Sequence, residues 1–295
     1  MRLRGSVAVL PLVLPILAFS ACAPVDDAPS STANTSSGSG SAAPDDCAVD
    51  SLPLRTAGTL TVGTDSPAYD PWFRKNDPTN GQGYESAVAY AVAEQLGFSR
   101  DQVTWVKVPF NSSYKPGAKD FDFDINQISI TPARAQVVDF SDGYYSASQA
   151  VVALKGSAGA EATSLADLKG LRLGAQTGTT SLTAIRDDIQ PDTDPVVFED
   201  TNAAKQALQN DQVDAILADL PTALYISAVE IPDSTLVGQF QVSSGDAEEF
   251  GMLFEKGSGL VSCVNQALAT LQDDGTLDQL QQKWLYDAAD VPELQ

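Results

Sequence analysis

Short strand-like and helix-like segments alternate along the chain from Thr59 to Leu217, and no other feature constrains the fold as tightly. Strands separated by helices pair in parallel, with the helices packed on the sheet, so the pattern predicts an α/β protein. In Thr59–Thr64 (TLTVGT) apolar Leu60 and Val62 alternate with smaller polar residues, the period of a strand. Tyr84, Ala87, Val88, Ala91, Val92, Gln95 and Leu96 fall at helical spacing, and Gly97 supplies the stop. Val103–Val108 and Phe121–Ile130 read as further strands. A second block repeats the logic. Leu168–Ala175 is turn then strand, and Thr177–Thr180 is a small polar turn opening a helix from Ser181. Thr201 caps a helix carrying Ala203, Ala204, Ala207 and Leu208, and Val213–Leu217 is a strand ending before Asp219. In the tail, Val264, Ala267, Leu268 and Leu271 form one helical stripe, and Leu277, Leu280 and Trp284 form another beyond Gly275-Thr276.

Ahead of this region stands a leader, MRLRGSVAVLPLVLPILAFSAC. Arg2 and Arg4 precede an apolar run that is short for a membrane span and is broken by Pro11 and Pro15, which reads as a secretory signal over residues 1–21. The small-small-Cys ending resembles a bacterial lipoprotein signal, with Cys22 as the lipidated first residue, although Phe19 replaces the usual aliphatic residue. Plain cleavage near Ala21 is the alternative. Residues 23–46 are rich in Ser, Ala, Gly and Asp and lack the apolar content of a core, so residues 22–46 read as anchor and flexible tether. Export places Cys47 and Cys263 in an oxidising compartment, where a disulfide between them is the economical reading and two buried thiols the alternative. That bond returns the tail to the first block. The expected lobes are 47–149 plus 249–295 and 150–248, joined by two crossing segments around an interlobe cleft, where ligands bind.

Composition narrows the chemistry. There is no histidine, which removes Ser-His-Asp and Cys-His systems and the commonest metal ligand. Three cysteines make an ordinary zinc site untenable, so no metal, cofactor or catalytic residue is expected. With 39 acidic and 17 basic side chains the formal charge is -22, the wrong sign for a nucleic-acid partner.

Four segments carry candidate chemistry, each with a plainer alternative. Thr64–Trp72 (TDSPAYDPW) follows the first strand, where loops face the ligand crevice of an α/β sheet, or it is a proline-rich surface turn. In Asp124–Arg134 (DINQISITPAR), Gln127 and Ser129 share one face of a strand, and Arg134 offers a planar fork for a carboxylate, or is a surface arginine. Thr177–Ser181 (TGTTS) presents N–H groups and hydroxyls to an anion, or merely caps a helix. Asp219 closes a buried-looking strand, where a carboxylate can meet an ammonium group, or is a turn aspartate.

Taken in order, the segments TLTVGTDSPAYDPW, GYESAVAYAVAEQLGF, FDFDINQISITPARAQVVDFSDGYY, LADLKGLRLGAQTGTTS, VDAILADLP and FGMLFEKGSGLVSCVNQALATLQDDGTLDQLQQKWL resemble one family. It is the polar amino-acid group (family 3) of solute-binding proteins of bacterial ABC importers, with the type II periplasmic-binding fold. The resemblance covers nearly all of residues 58–285, and SIT-x-x-R followed by VDFS and YY is its most specific part. It implies that Arg134 clamps a ligand α-carboxylate, helped by Ser129 and by Thr179 or Thr180. It implies that Asp219 pairs with the α-ammonium, that Tyr69 and Trp72 wall the pocket, and that Asp65 lies near the ligand. Gln127 stands where the family often has a small hydroxyl residue, and it is expected to read the side chain. The implied partners are a polar amino acid, ABC permease subunits and, through the lipid, the membrane. The protein is expected to be a monomeric, extracytoplasmic binder. A sensor without a transporter and an enzyme on the same fold, such as a dehydratase or lytic transglycosylase, are the alternatives.

Overall fold

The computed structural model describes residues 47–243, 247–285 and 291–295. The leader, Cys22 and the whole tether to residue 46 lie outside the described residues. The expected two-sheet α/β architecture is present. The first run contains β1 (Leu60–Thr64), α1 (Tyr84–Gln95), β2 (Val103–Lys107), α2 (Phe110–Ser113), β3 (Phe123–Asp124), α3 (Pro132–Ala135) and β4 (Asp139–Ala147). The second contains β5 (Gln149–Leu154), β6 (Leu173–Gln176), α4 (Thr180–Ala184), β7 (Val196–Phe198), α5 (Thr201–Gln209), β8 (Ala215–Asp219), α6 (Leu220–Tyr225) and β9 (Ser234–Phe240). The chain then returns with β10 (Glu248–Phe254), α7 (Val261–Asp273) and α8 (Thr276–Trp284).

One sheet has the order β2-β1-β3-β10-β4 and the other β7-β6-β8-β5-β9. In each, one strand, β10 or β5, runs antiparallel to both its neighbours and so joins three parallel strands to a fifth. The chain passes between sheets at Ser148, between β4 and β5, and again between Phe240 and Glu248. It passes a third time after Leu285, which packs in the first core, because Leu294 packs in the second. Residues 291–295, assigned to the first lobe from sequence, thus belong to the second: Gln239 N donates to Pro292 O and Leu294 N to Gln239 O, both at 2.8 Å. The edge of β9 offered unpaired backbone groups, and the terminus covers them. Gln149 and Glu248 likewise each fall one residue across the expected lobe boundary.

Both sheets are covered on two faces. Along β5, Val151 and Ala153 belong to one apolar cluster, with α4, while Ala150 and Val152 belong to another, with α5 and α6. This is the two-residue alternation of a strand with helices on both sides. In the first lobe, α1, α7 and α8 pack on Leu60, Val62, Phe123 and Phe250. Helix α1 packs closely because its buried residues include Ser86, Ala89 and Ala93. Gly83 permits its entry: φ is +94°, and a Cβ there would overlap the Trp72 carbonyl. The expected disulfide is formed. Cys47 and Cys263, in α7, have Cα atoms 5.5 Å apart and close a sequence span of 216.

Two local expectations change. Phe121–Ile130 is not one strand: only Phe123 and Asp124 pair as β3, since Gln127 adopts φ 47° and turns the chain. Ser129 then makes a single bridge to Phe250. The cap of α5 is Asp200, whose carboxylate accepts from Ala203 N at 2.8 Å, with Thr201 as the first helical residue.

Candidate functional site

The C-terminal ends of β1, β3, β6 and β8 converge from the two sheets on one cleft. Such ends deliver loops and helix starts to the ligand crevice of an α/β sheet. Its walls include Asp65, Tyr69, Gln127 and Ser129 from the first lobe and Thr179, Thr180 and Asp219 from the second. Seven of the nine ligand-binding residues named from sequence are therefore brought together. The other two, Trp72 and Arg134, are not among the residues lining it.

Trp72 is a core residue. It is fully buried, with ring centroids of Tyr145 and Phe250 at 5.3 and 5.6 Å in edge contact. The cis bond between Asp70 and Pro71 directly precedes it, and its large apolar ring is worth more in the core than against polar walls. Only its indole N–H reaches across, donating to Thr222 Oγ1 of the second lobe at 2.8 Å.

Arg134 sits at the seam behind the cleft, 8% exposed. Its Nη1 donates to Ser129 O at 2.8 Å and its Nη2 to Gly178 O, across the lobes, at 2.9 Å. The guanidinium carbon lies 4.8 Å from the Tyr114 ring centre and 5.5 Å from that of Phe110. Burial lowers its pKa from the ordinary arginine value, but an arginine remains charged. The guanidinium is thus engaged by Ser129, Gly178 and the Tyr114 hydroxyl, and the bond to Gly178 spans the lobes. Gly178 approaches so closely that a Cβ there would overlap Asn111 and Tyr114 of the first lobe.

Gln127 lines the cleft through the turn that its positive φ creates, not through a strand face. Its side-chain amide and backbone N–H both donate to buried Glu85, the latter at 2.6 Å, and Tyr144 OH donates there too. Burial raises Glu85 to about 7, an effect these three donors oppose.

The residue that organises the second-lobe wall is Gln149, which the sequence reading did not single out. Its Nε2 donates to Asp219 Oδ1 at 3.0 Å and Glu248 Oε2 at 2.9 Å, and its Oε1 accepts from Ser181 Oγ at 2.6 Å. Ser129 Oγ donates to the other oxygen of Glu248 at 2.6 Å. Two carboxylates thus share one amide. Burial and, after it, the charge of Glu248 hold Asp219 above the usual carboxylate range, and Gln149 and Arg134 pull it back. No local signal marks Gln149 or Glu248, since each is a polar residue opening an apolar strand. Thr179 caps α4, accepting from Leu182 N at 3.1 Å, so capping and cleft lining coincide.

Residues 60–287 match the family model for bacterial extracellular solute-binding proteins, family 3. The chain belongs to that family. The L-cystine-binding protein TcyJ of Escherichia coli (strain K12) is 31% identical over 241 residues, covering 81% of this chain and 86% of that protein. The arginine-binding extracellular protein ArtP of Bacillus subtilis (strain 168) is 31% identical over 235 residues, covering 76% and 85%. Among solved structures, the ancestral amino acid-binding protein AncCDT-1, a precursor of cyclohexadienyl dehydratase, superposes with a TM-score of 0.64 at 30% identity, covering 78% of this chain and 96% of that one. This solute-binding family member shares with them the α/β fold of two mixed sheets, and the segments that make its cleft fall within the matched residues.

Proposed function

We propose that the protein is the substrate-binding lipoprotein of an ABC importer, capturing a polar amino acid between its lobes and delivering it to a membrane permease. The observation that carries the reading is the division of complementary charge: Arg134 at the first-lobe side of the seam, Asp219 in the second-lobe wall. A zwitterion satisfies both only when the lobes are closed, so its binding shifts the population toward the closed form. Arg134 clamps the α-carboxylate with the donors not used on Ser129, Gly178 and Tyr114, with Ser129, Thr179 and Thr180 adding hydroxyls and the α4 N-terminus adding N–H groups. Asp219 takes the α-ammonium, whose charge favours the ionised carboxylate. The relatives' named ligands, L-cystine and arginine, are amino acids and support this class. Cys22 carries the lipid, and the folded part works outside the cytoplasm on its tether.

Calorimetric titration of the protein with the polar amino acids tests the reading. Losing a charge-assisted two-point contact costs about 3 kcal/mol, so Arg134→Ala binds the best ligand roughly 100-fold more weakly. Arg134→Lys, which keeps charge without the fork, recovers only part. Equal binding by wild type and Arg134→Ala would refute the clamp. Cys22→Ala moves the protein from the membrane to the soluble fraction; retention at the membrane would refute the anchor. Glu85, raised by burial, is the group an enzymatic reading would recruit, yet it is wholly buried under Gln127. Turnover of a bound ligand would overturn the binding-protein assignment.

A further inference from the structure

Glu85 is wholly buried in the first turn of α1, and among the described residues no basic side chain pairs with it. The titratable groups within its electrostatic reach are Tyr84 on its own helix, Asp124 in β3, Tyr144 in β4 and Asp219 of the second lobe. None of them is a cation. A buried carboxylate without a counter-charge costs stability, and an apolar side chain would pack α1 without that cost. The helix N-terminus offsets part of it. Three hydrogen bonds offset more, and their donors show what the carboxylate holds. Oε1 accepts from Gln127 N at 2.6 Å and from Tyr144 OH, and Oε2 accepts from the Gln127 side-chain amide. Tyr84 OH donates in turn to Tyr144 O at 2.7 Å, which ties strand β4 to the helix. Two of the three donors thus belong to one loop residue, and the third belongs to a strand fixed on α1.

Gln127 needs such a hold. Its φ of 47° lies in the left-handed region, which a residue with a Cβ occupies at a cost. The turn stands at a point of consequence. Gln127 and Ser129 both line the cleft. Two residues beyond the turn, Ser129 O accepts from Arg134 Nη1 at 2.8 Å, and Ser129 Oγ donates to Glu248 at 2.6 Å. The direction of the chain at Gln127 therefore sets where Ser129 stands, and with it the guanidinium of Arg134. Glu85 is not on the cleft wall, so it reaches the cleft through Gln127.

We propose that Glu85 is a positioning residue for ligand binding, which holds Gln127 in its left-handed turn and so aims Ser129 and the Arg134 fork into the cleft. This rests on the amino-acid reading above. The ionised carboxylate is the working form, because a protonated oxygen turns a hydrogen towards the Gln127 amide instead of accepting from it.

Glu85→Gln and Gln127→Gly, made singly and together, test this by calorimetric titration with the tightest binder among the standard amino acids and L-cystine. Glycine takes a positive φ without strain, so the turn in Gln127→Gly needs no hold. Glu85→Gln weakens binding about tenfold when Gln127 is present, and less than about twofold in the Gln127→Gly background. A merely structural Glu85 would weaken both backgrounds equally, and that result, or no loss in either, would overturn the proposal while leaving the amino-acid reading standing. A second measurement needs no variant at Glu85 and decides the matter if Glu85→Gln does not fold. Burial raises Glu85 to about 7, so between pH 8 and pH 6 the wild type loses affinity relative to Gln127→Gly, by about threefold. Asp219 titrates in both proteins and cancels in the ratio. A ratio that stays constant over this range would also overturn the proposal. Failure of the wild type to bind any of these amino acids would overturn both readings.

Discussion

Replacing Gln149 by Leu removes the amide that stands between buried Glu248 and half-buried Asp219. The structure sets the magnitude. Two charge-assisted bonds are lost, to Asp219 at 3.0 Å and Glu248 at 2.9 Å, and Ser181 Oγ loses its acceptor. Hydrogen bonds to charged groups contribute about 1.5–3 kcal/mol each, so the variant loses about 3–6 kcal/mol. For a domain of this size that lowers Tm by roughly 6–24 °C. The loss also depends on pH. Asp219 in the folded protein lies above its unfolded value near 4, so stability from its protonated form is full below that pH and is lost as pH rises through the folded value. Without the amide the folded value rises further, and more stability is lost at high pH. Denaturant unfolding of wild type and Gln149→Leu at pH 6 and pH 8 measures this, and the variant's deficit is larger at pH 8. A deficit under about 1 kcal/mol, or one no larger at pH 8 than at pH 6, would refute the account of Gln149 as the shared donor.

Three further outcomes are expected. Gly178→Ala abolishes ligand binding in calorimetry, because a Cβ overlaps Asn111 and Tyr114 when the lobes meet, and it also lowers the melting temperature, because alanine is strained at the φ of +75° that Gly178 holds. Thr222→Val removes the acceptor of the Trp72 indole N–H, a contact between lobes; ligand affinity falls about fivefold, for about 1 kcal/mol, while the first-lobe core around Trp72 and its fluorescence stay unchanged. Reducing the Cys47–Cys263 bond, which closes a span of 216 residues, costs about 2–5 kcal/mol in denaturant unfolding, since it frees the unfolded chain.

What was legible in the sequence follows from the range of the forces. Strands β1, β2, β6 and β8 and helices α1, α7 and α8 were readable because apolar period and turn residues act over a few neighbours. Arg134, Thr179 and Asp219 could be named as candidates because each stands in a motif at the end of an element, and the fold sets all three at or beside the cleft. Trp72 illustrates the limit. The sequence puts an aromatic beside a ligand loop, but only packing decides that its ring fills the core and its N–H alone faces the other lobe. The turn at Gln127 was hidden for the same reason. A positive φ in a residue other than glycine is sustained by buried Glu85, which lies 42 positions away in sequence.

By itself, the sequence determined an α/β chain without histidine, with two cysteines to join. Tertiary structure alone decided that Gln149 divides its amide between Asp219 and Glu248, that Arg134 spans the seam, and that residues 291–295 close the edge of the second sheet. These features depend on groups far apart in the chain. Their energies come from burial and pairing, which exist only once the lobes have formed.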